Sequence, residues 1–159
     1  MKVVKRILIS ILCLPVVLIL LFIVYEIIGM VVNHTATAMQ TDKLEKVICE
    51  EISDAEILDT YSETGNTSGT GNHVDMLSVI CFRTNYDIGT VADKLKQFDV
   101  AEDEYDFWIE TMESVEKAHQ EDSYRYGFCD ELEIPEDLSG CYLVYKNDSA
   151  PFSDNIEGH

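Results

Sequence analysis

His73 and Asp75 stand two residues apart in the stretch HVDMLSVICFRT, and in an extended strand that spacing turns both side chains to one face. An imidazole beside a carboxylate is half of a metal site. Zinc, however, asks for three or four ligands, and His34, His119 and His159 stand at no ligand spacing from the pair. No metal centre is expected here. The run Glu102-Asp103-Glu104-Tyr105-Asp106 is dense enough in carboxylates to attract Ca²⁺. It lacks the glycine and the spaced ligands of an EF-hand loop, and acidic residues also suit the first turn of a helix, so capping is the preferred reading.

Cysteine offers a second kind of chemistry. Beyond residue 32 there are Cys49, Cys81, Cys129 and Cys141. Outside the cytoplasm an even set fits two disulfides, with three possible connectivities. Cys129 and Cys141 flank one inter-strand turn and are the first pair to expect; Cys49 with Cys81 is the second. The competing reading is buried free thiols, because Cys49 lies beside a helical apolar stripe and Cys81 lies in an apolar strand. No CxxC occurs, so neither a thioredoxin-type site nor a zinc ribbon is supported.

Gly65–Gly71 is glycine-rich, but it has no GxxxxGK[ST] lysine and joins two strands, so it builds no phosphate cradle and reads as a hairpin tip. The chain has no GxSxG, SxxK or HExxH. No cofactor and no catalytic residue are assigned, and the protein is read as a non-enzyme. Sequons at Asn33, Asn66 and Asn147 are acceptors only in a glycosylating secretory pathway.

The elements that must position these residues begin with a membrane segment. Ile7–Val32 is apolar except for Ser10, Tyr25 and Glu26, and it follows Lys2, Lys5 and Arg6. From Ile7 to Tyr25 a helix covers about 28 Å, close to the roughly 30 Å of a hydrocarbon core. The flanking charge predicts a cytoplasmic N-terminus (residues 1–6), a single-pass transmembrane helix (7–32) and a C-terminal part outside the cell membrane. A cleaved signal peptide ending at Ala36-Thr37-Ala38 is the rival reading, but the apolar run exceeds the usual signal length. Lipidation at Cys13 is disfavoured by Leu12 before it. Glu26 reads as an interface residue just beyond Tyr25 rather than as an intramembrane partner site. Pro15 removes one backbone hydrogen bond, which a membrane helix tolerates.

The whole chain carries a net charge of −19, and residues 33–159 hold 8 Lys/Arg against 29 Asp/Glu. Nucleic acid and anionic lipid surfaces would be repelled; a basic protein or peptide would be attracted. Apolar residues are interleaved with the acids, so a folded domain is expected, and its length suits one core.

A helix is predicted over 36–52, with Leu44, Val47, Ile48 and Ile52 on one stripe. No Gly or Pro lies between Gly29 and Gly65, so the membrane helix can run on through a polar stalk (33–43) and hold the domain off the bilayer. Strands are expected at 54–62 and 73–84, the second central because it is apolar on both faces. A helix follows Asp87 with Ile88, Val91, Leu95 and Phe98 inward. A second helix buries Tyr105, Trp108, Met112 and Val115. Strands come at 123–128 and 141–146. The fold class is α+β: one N-terminal transmembrane helix, then a small antiparallel sheet with helices packed on one face, an acidic ectodomain over 44–147 and a loose, flexible tail over 148–159.

These features point to a membrane-anchored extracytoplasmic binding or assembly module. The alternatives are an acidic immunity or inhibitor-type protein that masks a cationic toxin or peptide, and a small extracytoplasmic hydrolase.

Overall fold

The computed structural model describes residues 2–67, 73–96, 107–121 and 126–158. One helix, α1, spans Lys2–Glu51 and runs through Pro15 without a break. At 1.5 Å per residue its 50 residues extend about 75 Å. It is the one described helix long and apolar enough to cross a membrane. The uninterrupted course expected from the absence of Gly and Pro past Gly29 is thus present.

Four strands follow: β1 (Glu56–Gly65), β2 (Asp75–Arg83), β3 (Phe107–Thr111) and β4 (Cys141–Ser149). They form one antiparallel sheet in the order β1-β2-β4-β3. Helix α2 (Ile88–Leu95) is capped by Asp87, whose carboxylate accepts from the Thr90 N–H at 3.1 Å. Helix α3 spans Met112–Glu121. The protein is therefore α+β with a four-stranded antiparallel sheet.

β2 and β4 are interior strands, and alternation along each sends side chains to two cores. On one face Ile80, Phe82, Tyr142 and Val144 meet Leu44, Ile48 and Ile52 of α1 and Val91 and Leu95 of α2. On the other face Leu77, Val79, Cys81, Leu143 and Tyr145 are covered by Met112 and Val115 of α3 and by Tyr126, Phe128, Cys129 and Leu132. Helices α1 and α2 meet the expectation of helical packing on one face; α3 and the segment after it close the other as well.

Two elements differ from the sequence reading. Phe107–Thr111 is strand, not the first turns of a helix: it pairs with β4 from Phe107↔Lys146 to Thr111↔Tyr142, and helix begins only at Met112. Trp108, Met112 and Val115 do recur at helical spacing, but Trp108 stacks on Tyr145 at 3.9 Å between ring centroids and the ladder holds it. The second difference lies at 123–128. Residues 122–125 fall outside the described residues, and Gly127–Asp130 is a 3₁₀ turn. Tyr126 and Phe128 alternate because they plug the second core, with Phe128 against Tyr61 and Tyr145, and not because they join a ladder. Phe98 and Glu102–Asp106 also lie outside the described residues.

Candidate functional site

Helix α1 buries one continuous stripe, and its lower half is polar. Going back from Ile48 and Leu44, the buried positions are Thr41, Thr37, Asn33, Gly29 and Glu26, each three or four residues from the next. The stalk expected over 33–43 is therefore packed against the domain along one side.

Each polar side chain on this stripe has a stated partner. Thr41 shares a 2.8 Å hydrogen bond with the Ser78 hydroxyl of β2, and Thr37 a 2.6 Å bond with Thr64 at the end of β1. The Gln40 amide donates to the Met76 and Lys146 carbonyls at 3.1 and 3.2 Å, tying β2 to β4. Asn33, fully buried, holds the backbone of Phe152 as a neighbouring strand would: its Nδ2 donates to the carbonyl at 3.1 Å and its Oδ1 accepts from the N–H at 2.9 Å. Glu26 is 8% exposed; its carboxylate accepts from the Ile156 N–H and its carbonyl from Asn155 Nδ2, both at 2.9 Å. A buried carboxylate needs such donors, and the tail supplies one.

The segment expected to be a loose tail is thus placed against α1. Hydrogen bonds from Ala150 N–H to the Val74 carbonyl and from Val74 N–H to the Ser153 carbonyl join it to the approach to β2. His34 Nε2 lies 2.6 Å from Glu157 Oε1, and Phe152 packs on Tyr25 with ring centroids 5.7 Å apart. Gly29 permits this approach: a Cβ there would stand 2.3 Å from Asn155 Nδ2 and 3.4 Å from Phe152 Cβ. Gly158 plays the same part against His73, whose carbonyl carbon would lie 2.7 Å from an added Cβ. The tail looked loose in sequence because it is short, polar and without periodicity; its partners on α1 lie more than a hundred residues away.

The residues singled out by type fall elsewhere, apart from His73 beside Gly158. His73 and Asp75 do come together, with Nε2 3.1 Å from Oδ1, and His119 stands 3.1 Å from Asp130. Among the described residues there is no group of three or more His, Cys, Asp or Glu side chains able to hold a metal. All five cysteines are free thiols in this structure. Cys81, Cys129 and Cys141 share the second core. Burial pushes the Cys81 thiol up to about 12 and Cys129 to about 11, so neither is a nucleophile near neutral pH. Cys49 is exposed on α1, which covers the other face, so a bond to Cys81 would have to pass through the sheet. Asn33, buried and doubly bonded, is no sequon acceptor in the folded chain.

At the opposite end of the sheet Asp54 accepts from the Thr84 hydroxyl and from the backbone and side-chain amides of Asn85. These donors hold its carboxyl below the usual carboxylate value. The site that distinguishes this molecule is the seam between α1 and the tail, a structural latch built of side chain to main chain hydrogen bonds. No family model, curated protein or solved structure matches the chain.

Proposed function

We propose that the protein is a single-pass, membrane-anchored module whose acidic domain lies outside the membrane and binds or assembles with a basic protein or peptide, without catalysis of its own. One observation carries this reading. The anchor helix is also the domain's core helix, with a buried stripe running from Glu26 to Ile52. Cleavage after Ala38 would strip Asn33 and Thr37 from Phe152 and Thr64 and leave buried backbone groups of the tail without partners. These contacts favour a retained anchor over a removed leader. Lys2, Lys5 and Arg6 before the apolar run favour a cytoplasmic N-terminus.

The excess of acid over base beyond residue 32 favours a cationic partner and fast, salt-sensitive association. The test is cross-linking in intact membranes followed by capture of the tagged chain at low and at high salt. A basic protein or peptide recovered at low salt and lost at high salt is expected. Capture that is indifferent to salt, or recovery of acidic partners alone, would refute the electrostatic reading.

A further inference from the structure

The tail latch has an apolar outer side. From Leu14 to Val32 every residue of α1 is exposed except Glu26 and Gly29, the two positions the tail covers. That band of nineteen residues measures about 28 Å, as long as the Ile7–Tyr25 window, and it continues past the level at which the tail is attached. Ile156, whose N–H bonds Glu26, is itself 56% exposed, close to the 59% of Phe22 in the apolar band. Beside it Phe152 and Tyr25 form an aromatic pair, the residue type that settles at membrane interfaces.

We infer that the segment Phe152–Gly158 is seated in the outer interfacial layer of the bilayer that α1 crosses, with Ile156 in contact with lipid. This rests on the spanning reading of α1. The occupant of the exposed Ile156 surface is lipid because its backbone is bonded to Glu26, within the exposed band of the span. The same placement accounts for Glu26. A lone carboxylate near the acyl boundary is costly, and here it is covered by the tail and given a backbone donor in place of water. Asp154, exposed on the same segment, keeps the tail at headgroup level and out of the acyl core. The domain then sits flush on the membrane and is not held off on a stalk. The acidity of the domain selects a zwitterionic surface.

The test uses the full chain in phosphatidylcholine vesicles carrying quenchers at shallow or deep positions along the acyl chain. Wild type contains a single tryptophan, Trp108. It pairs with Tyr145, which pairs with Val79 beside the Ser78 that meets Thr41, about 22 Å along α1 from Glu26. It therefore serves as the unquenched reference. The variant Ile156→Trp should add fluorescence that the shallow quencher removes, and Val16→Trp, about 15 Å along α1 from Glu26 and at the middle of the Ile7–Tyr25 window, should add fluorescence that the deep quencher removes. If Val16→Trp is quenched and Ile156→Trp emits as in water, the anchor stands and the seating of the tail is overturned. If neither is quenched, the spanning reading itself falls and takes this inference with it.

Discussion

The two halves of the buried stripe on α1 are held by different physics. Leu44, Ile48 and Ile52 meet the sheet through apolar surface, which is non-directional and proportional to the area removed from water. Glu26, Asn33, Thr37 and Thr41 meet the tail and the β1–β2 hairpin through directed hydrogen bonds, each worth little net but costly to leave half made. The apolar half therefore supplies stability, and the polar half supplies position. It fixes where the C-terminal segment lies along the helix, and it is expected to open locally without unfolding the sheet.

Substitutions can break that contrast, and the largest effect should come from the apolar half. Ile48→Ala removes a fully buried side chain between α1 and the sheet and should cost about 2–5 kcal/mol in denaturant unfolding of the whole domain. Asn33→Ala leaves the Phe152 N–H and carbonyl unpaired and should cost about 1–3 kcal/mol. Its signature is local: faster hydrogen exchange at 152–158 with β2 and β4 unchanged. Exchange that rises equally in the sheet would show that the latch and the core are one cooperative unit.

A smaller effect is expected at Thr41. Thr41→Val strands the Ser78 hydroxyl and should cost about 1 kcal/mol, while Thr41→Val combined with Ser78→Ala should recover most of it. Failure of the double variant to recover would mean that Thr41 acts through packing.

The smallest effect lies at the far end of the sheet, where Asp54 is exposed. The Thr84 hydroxyl and the Asn85 amides hold its carboxyl below the ordinary aspartate value, so the folded state binds that proton less readily than the unfolded chain. The contribution is present above the unfolded value and is lost as pH falls through the lowered folded value. Asp54→Asn should thus be slightly less stable than wild type at neutral pH and indistinguishable from it in acid. A gap that persists in acid would mean that the Thr84 and Asn85 contacts do not depend on the charge.

Much of the fold was legible. Leu44, Val47, Ile48 and Ile52 announce a helix face, and Asp87 with Val91 and Leu95 announces α2 with its cap. The two-sided apolar run of β2 marks an interior strand. Two short aromatic segments misled, because Trp108 and Phe128 are equally at home in a ladder, on a helix or as a plug over a core. The latch was hidden for another reason: periodicity is sought in apolar residues, and a stripe of Glu26, Gly29, Asn33, Thr37 and Thr41 reads as a solvated stalk. Its spacing was the available signal, since it continues the Leu44–Ile48 register without a slip.

By itself the sequence determined a helix of membrane-spanning length that continues unbroken into an acidic α+β domain. Chain length, hydropathy and the absence of breakers are local properties, and they act before any tertiary contact forms. Only the tertiary structure decided that Glu26 is covered, that Asn33 is buried and that the last residues lie along the helix. A polar side chain is equally content with water or with a backbone partner, and which one it meets depends on what the fold brings there from more than a hundred residues away.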